Sequence, residues 1–287
     1  MFKTKNLVRR VYTHTDSFYL DMSKLVELYE SKKGKKTREE ASKFLDEFDK
    51  RYIQKWIREI SNKTWQMCNG VNDCIFFDRE KICHMILAGK AKYALDIIDD
   101  EGKYSEDLNV KITGLEIKRS DTPKLIREKL DEAISIMFDN DNEKLINFME
   151  DFKKEYYNEV DIDKVALPSG VSNITKYESG KQKSTPIHVR SSLNYNKFLD
   201  KHELTKDGYQ KISDGEKIKW FRLKKNPYIN DNVLAFNDVG IFKQFDILKY
   251  FDYEEMYERT FYRKVKSLCE VVGMDISFNE QLSNDLF

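Results

Sequence analysis

The pattern of apolar and polar positions changes character along the chain. Leu7-Val8 and Val11-Tyr12 are followed, across the polar tetrad Thr13-His14-Thr15-Asp16, by Ser17-Phe18-Tyr19-Leu20. Two short β-branched or aromatic runs about a polar turn predict a β-hairpin with Asp16 at its tip. From Glu39 to about Lys63, the residues Ala41, Leu45, Phe48, Tyr52 and Trp56 recur at helical spacing. A helix is expected there, behind the polar basic loop Lys32-Lys33-Gly34-Lys35-Lys36. Strand-like runs follow at Cys74 to Phe77, Ile82 to Leu87 and Tyr93 to Ile98, closed by Asp99-Asp100-Glu101-Gly102. They predict an antiparallel meander able to share one sheet with the hairpin.

Beyond Thr122-Pro123 the signals become mainly helical. Proline suits a first helical turn, so one helix is predicted from there to about Asp139 and a second from Glu143 to Tyr157. Pro168-Ser169-Gly170 and Glu178-Ser179-Gly180 read as irregular connections, and Lys217 to Leu223 carries strand signals. A last helix, with Phe261, Val265, Leu268 and Val272 on one stripe, stops at Gly273. Asn279 to Phe287 reads as a mobile tail with two apolar anchors. The fold class expected from this succession is α+β, an antiparallel sheet with helices followed by a mainly helical part.

Composition narrows the functional classes. With 287 residues and 40% hydrophobic content, the chain can bury the core of one large domain or two modest ones. Its 50 basic and 50 acidic residues cancel, so contact with nucleic acid must come from local patches. No apolar run approaches the roughly 20 residues needed to span a bilayer, and no membrane role is expected. Cys68, Cys74, Cys83 and Cys269 form no C-x-x-C pair and follow no secretory leader, which points to reduced thiols in a cytoplasmic setting. Cys83-His84 near Cys74 lacks the spacing of common structural zinc sites, and buried thiols are expected. The 18 Phe, 16 Tyr and 3 Trp suit either a thick core or surfaces that touch bases.

Several motifs carry more specific chemistry. Tyr12-Thr13-His14-Thr15-Asp16-Ser17 resembles motif C of the family B DNA polymerases, usually Y-G-D-T-D-S, with Asp16 at the second Asp and His14 at the first. An isolated Asp in a turn more often caps the backbone; the ordered matches downstream tell against that reading. Phe77-Asp78-Arg79-Glu80 resembles the M-D-R-E palm segment, although Asp78 and Glu80 are also compatible with an exposed ion pair to Arg79. Lys90-Ala91-Lys92-Tyr93-Ala94-Leu95 resembles the primer-gripping K-K-R-Y-A-L motif, with Ala91 in place of the second Lys. Lys111-Ile112-Thr113-Gly114-Leu115-Glu116 and Arg119-Ser120-Asp121-Thr122-Pro123-Lys124 are similar to K-x-x-G-L-E and S-S-T-P-K. Val171 to Tyr177 and Pro186 to Arg190 resemble A-N-x-I-A-K-Y and P-F-H-I-R, and Gln281 to Phe287 resembles a sliding-clamp tail.

The resemblance, covering nearly the whole chain, is to T-even-phage-type family B DNA polymerases, in their C-terminal part. It implies half of an antiparallel polymerase palm sheet in residues 1–120, a mainly helical thumb in 121–278 and a clamp-binding tail in 279–287. It implies Asp16 as catalytic residue, and Asp16 and Glu80 as ligands in a site for two Mg2+ ions. Lys90, Lys92, Tyr93, Arg119, Lys124, Lys176, Lys183, His188 and Arg190 are implied to contact primer-template DNA, with salt-sensitive phosphate contacts in the thumb. Taken alone, His188 and Tyr177 also read as core residues and the lysines as solvated. Leu282, Leu286 and Phe287 are implied to enter a sliding clamp, whose tether raises the effective DNA concentration.

Met1 stands only a few residues before motif C. The expectation is therefore a split enzyme, inactive alone and completed by an N-terminal partner subunit that carries motif A, the dNTP-binding fingers and the exonuclease, in the cytoplasm of an infected bacterial host. Activity is expected to survive His14, because the family's first Asp is the less critical of the pair. The competing readings are a noncatalytic DNA-binding or decayed polymerase fragment and, further off, a metal-dependent nuclease or an unrelated helical interaction protein.

Overall fold

The computed structural model describes residues 7–70, 76–158, 160–178 and 184–276. The chain divides into two compact units, Met1–Thr113 and Gly114–Phe287.

In the first unit, β1 (Arg9–His14) and β2 (Ser17–Asp21) pair antiparallel with His14 opposite Ser17. Thr15 and Asp16 therefore form the two-residue turn of the predicted hairpin. Three helices follow: α1 (Ser23–Lys33), α2 (Arg38–Phe48) and α3 (Gln54–Met67). Thr37 starts α2 with a capping box, its hydroxyl accepting from the Glu40 N–H while the Glu40 carboxylate accepts from the Thr37 N–H. The single helix expected over 39–63 is thus two helices joined without a break by a π-helical turn at Asp49–Ile53. Helix α1 has no counterpart among the predicted elements and takes Lys32 and Lys33 out of the expected loop.

The main sheet has β4 (Lys92–Asp100) at its centre. β3 (Lys81–Gly89) pairs along one side, while β5 (Lys103–Tyr104) and β6 (Val110–Thr113) pair with opposite ends of the other, all antiparallel. Residues 94–99 of β4 are all buried, which a central strand covered on both faces requires. Two expectations are corrected. Residues 76–80 are not in a strand, the rest of the Cys74 to Phe77 run lying outside the described residues. The β1–β2 hairpin also forms a two-stranded sheet of its own; its link to β4 runs through side chains, so no backbone ladder joins them.

The second unit is helical around a small sheet. Helices α4 (Lys124–Asp139) and α5 (Asn142–Asn158) form a pair, turned by Asn140 in the left-handed conformation at φ 55°. Their apolar stripes, Ile126, Leu130, Ala133, Ile134 and Met137 facing Leu145, Met149, Phe152 and Tyr156, are buried at the predicted period. Then come α6 (Ile162–Val165), β7 (Leu167–Gly170), α7 (Ile174–Glu178), α8 (Ile187–Lys201), β8 (Lys217–Arg222), β9 (Val233–Phe236), α9 (Gly240–Lys243), α10 (Tyr253–Tyr257) and α11 (Arg263–Val272). A second π-helical turn, Glu258–Tyr262, joins α10 to α11. Pro168-Ser169-Gly170, expected to be irregular, is instead most of β7, an edge of the β7-β8-β9 sheet, where a proline is tolerated. Phe221, Phe236, Phe242 and Phe251 close the core over that sheet. The architecture is α+β, as expected.

Candidate functional site

Asp16 stands at the tip of the β1–β2 turn, exposed, and no hydrogen bond or ion pair engages its carboxylate among the described residues. A two-residue hairpin holds such a group on a short, stiff projection. Beside it, the Thr15 hydroxyl lies 3.3 Å from His14 Nδ1.

The hairpin is held to the main sheet by aromatic packing. The rings of Tyr12, Tyr19 and Tyr93 form a triangle with centroid separations of 5.6, 5.9 and 5.8 Å. The Tyr19 hydroxyl donates to that of Tyr93 at 3.5 Å. Burial, then the contact with Tyr93 and the nearby charges including that of Glu80, pushes the Tyr19 phenol up. Half-buried Tyr93 thus helps fix the hairpin. The lysines that flank it sit on the adjacent β3–β4 turn. Gly89 faces Lys92 across that turn, Lys90 and Lys92 are exposed, and Ala91 occupies the left-handed region at φ 56°. A groove lined by Val11, Tyr12 and Thr13 on one side and Leu87, Ala88, Gly89 and Lys90 on the other runs between hairpin and turn. The hairpin that carries Asp16 and the lysine turn therefore line one groove, although 77 residues separate Thr13 from Lys90.

Glu80 is exposed and close enough to Tyr19 to influence its phenol. Its carbonyl accepts from the Glu101 N–H at 2.7 Å and from Arg79 at 3.3 Å, which fixes its backbone. Arg79 does not form the ion pair with Asp78 or Glu80 that a surface reading allowed. Its guanidinium turns inward to Asp99 and to Asp46, the latter at 2.8 Å.

Sequence reasoning missed this layer of buried charge, and with it Asp96. That carboxylate, 1% exposed, takes a two-pronged contact from Arg38 at 2.5 and 2.7 Å, the N–H of Asn109 at 3.2 Å and a contact with His84 Nδ1 at 3.4 Å. Burial alone would raise its pKa; the Arg38 hydrogen bonds, the Asn109 N–H and the guanidinium charge outweigh it and hold the carboxyl below the usual range. The two arginines pin α2 and the Glu80 segment to β4, and pairs separated by 58 and 20 residues leave no local signal that could have revealed them.

Asp16 and Glu80 are hard oxygen donors of the kind magnesium takes. Among the described residues, however, no three His, Cys, Asp or Glu side chains converge into a metal-binding set. These residues are at most part of a coordination shell.

The expected DNA contacts of the second unit fall into distinct states. Arg119 is tied by two bonds to Asp121 at 3.1 and 2.7 Å, and Arg190 Nε lies 3.2 Å from Asp231. Lys124, 83% exposed at the start of α4, reaches only 3.6 Å from Glu128. Lys176 lies over the ring of Tyr177 at 5.7 Å. His188 is half-buried in the first turn of α8, its carbonyl accepting from Ser191 and Ser192. Lys183, Leu282, Leu286 and Phe287 lie outside the described residues. No helix among the described residues is long and apolar enough to cross a membrane.

No protein-family model matches the chain. It is 25% identical over 285 residues to a DNA-directed DNA polymerase of Enterobacteria phage T4, a match covering 94% of this chain and 31% of the relative. It is 27% identical over 279 residues to the DNA-directed DNA polymerase of Escherichia phage RB69, covering 92% and 30% respectively. The chain spans about a third of the length of the curated relatives it matches. It is similar along nearly its whole length to phage DNA-directed DNA polymerases, consistent with a C-terminal part of a T4-like polymerase.

Proposed function

We propose that the chain supplies part of the palm, the primer grip and the thumb of a DNA-directed DNA polymerase, and that a partner polypeptide completes template-directed nucleotidyl transfer. The observation that carries the reading is the groove that strand β1 of the Asp16 hairpin shares with the segment ending at Lys90, in a chain similar over 94% of its length to a phage polymerase. A transferred nucleotidyl group needs positive charge at its phosphates and a fixed primer end, and the two parts of this surface address those needs.

In this reading Asp16 and Glu80 contribute carboxylate oxygens to a site for two Mg2+ ions whose other ligands come from the partner. Divalent ions held there would supply the charge that offsets what develops on the phosphoryl oxygens. The residues of this chain hold and orient. The tyrosine triangle keeps the Asp16 hairpin at a fixed height above β4, and the Arg38 and Arg79 ion pairs keep β4 and the Glu80 segment in place. Lys90 and Lys92 attract primer-template phosphates without reading sequence. Lys124, Lys176, Lys183, His188 and Arg190, with Arg119, extend that contact in the thumb. Arg119 and Arg190 reach phosphate only by giving up Asp121 and Asp231, so their gain in affinity is a difference between two charge-assisted contacts. Leu282, Leu286 and Phe287 form the clamp-binding tail, and the setting is the cytoplasm of an infected bacterium.

Primer extension tests the proposal. The chain is mixed with the polypeptide of the same genome that aligns with the other two thirds of the T4 polymerase, together with primer-template, dNTPs and Mg2+. Extension that requires both polypeptides supports the reading. A stable complex on duplex DNA with no extension supports instead a noncatalytic DNA-binding fragment, the reading favoured by the incomplete carboxylate set.

A further inference from the structure

The first unit contains an amphipathic helix whose apolar side keeps large side chains exposed. None of the 14 residues of α3 is buried, and from residue 7 to residue 70 only Leu25 and Ser42 are. Trp56 is 58% exposed, Ile60 43% and Met67 85%. Ile57, Ile60, Thr64 and Trp65, at helical spacing, line an open groove of about 510 Å³ whose far side is Phe18 of β2 and Phe77. An isolated helix of this length is marginal in water without tertiary packing, and a contiguous exposed apolar face marks an interaction surface.

We propose that this groove is the docking face for the partner polypeptide, an inference that rests on the partner reading above and names its surface. Three observations select that occupant. The match covers 31% of the T4 relative, and the partner reading above assigns the remaining part of the polymerase fold to a second polypeptide. The groove continues into the catalytic hairpin, because Phe18 on its wall is two residues from Asp16, and whatever covers it stands beside the incomplete carboxylate site. The polar side of the helix, with its preceding turn, is basic: Lys50, Arg51, Lys55, Arg58 and Lys63 are exposed, against exposed Glu59 and half-buried Asp49, which calls for an acidic rim around an apolar centre. DNA fits less well, since phosphates set against Ile57 and Ile60 would lose water without gaining partners.

The test measures association of the full chain with the same-genome polypeptide used for primer extension, by analytical ultracentrifugation, for wild type, Trp56→Asp and Ile60→Asp. As neither side chain is buried, circular dichroism of both variants should match wild type. The expected result is a wild-type complex weakened at least about thirtyfold in each variant, as for a central interface anchor. Independently of any substitution, Cys68, exposed at the groove's end, should lose maleimide reactivity in the complex, read by peptide mass spectrometry. A complex that forms equally with the variants and leaves Cys68 reactive overturns the docking face while sparing the partner reading. No wild-type complex at all overturns the partner reading itself. Self-association of the chain abolished by the same substitutions assigns the groove to a second copy and refutes the proposal.

Discussion

Arg38→Ala isolates the buried charge that supports the candidate site. The substitution leaves Asp96, 1% exposed, with only the Asn109 N–H at 3.2 Å and His84 at 3.4 Å. Breaking a buried pair by removing one partner costs roughly 3–5 kcal/mol. The Arg38 side chain is 24% exposed, so part of its charge was already solvated and the lower end, about 3 kcal/mol, applies. Asp96→Asn should cost less, about 1–2 kcal/mol, because the arginine left behind reaches water and the amide keeps an acceptor. Amide exchange of β4 reads this directly: protection should fall on the order of a hundredfold in Arg38→Ala and about tenfold in Asp96→Asn. The sign of the pH effect follows from the lowered Asp96 pKa. The stabilisation is full above the free-chain value of about 3.9 and is lost as pH falls through the lower folded value. Wild-type β4 protection should therefore drop in acid, and Arg38→Ala should flatten that drop. Equal, small losses in both variants, below about threefold, would refute the claim that this pair anchors β4.

Other outcomes follow from single positions. Ala91→Gly should stabilise the β3–β4 hairpin by about 0.5–1 kcal/mol in amide exchange, since glycine relieves the left-handed strain at φ 56° and returns only part of it as unfolded-chain entropy; destabilisation would contradict the turn geometry. At pH 8 a maleimide should label Cys68 well before Cys83 and Cys269, whose thiols burial pushes up to about 11; comparable rates read by peptide mass spectrometry would contradict the burial. Lys90→Ala and Lys92→Ala should each weaken primer-template binding irrespective of sequence and lower the salt slope, measured by anisotropy titration, by about one. Unchanged slopes would remove the β3–β4 turn from the DNA surface.

What the sequence made legible was local. The hairpin about Asp16, the helices after Pro123 and the last helix ending at Gly273 follow from apolar spacing and from residues with a backbone preference, and each is present. Helix α1 went unread because only Leu25 of its residues is buried, leaving little stripe to detect. The π-helical turns at Asp49–Ile53 and Glu258–Tyr262 shift the helical phase by a residue, which spacing alone does not announce. Strand β7 hid behind Pro168, since edge position is a tertiary property. In the site, motif resemblance placed Asp16, Lys90 and Lys92, and the fold brought their segments together. The supports Arg38, Asp96, Arg79, Tyr12 and Tyr19 act through partners far away in sequence and became visible only in three dimensions.

The central claim is that Asp16 takes part in nucleotidyl transfer and has no part in holding the fold. Its exposed carboxylate makes no hydrogen bond or ion pair among the described residues, so Asp16→Asn should leave folding and duplex affinity unchanged. The decisive measurement is single-turnover primer extension by the two-polypeptide complex carrying Asp16→Asn. The account predicts a rate at least a thousandfold below wild type with the primer-template Kd unaltered, on the order of what removing one key charge-stabilising group costs an active site. Extension within about threefold of wild type would contradict it.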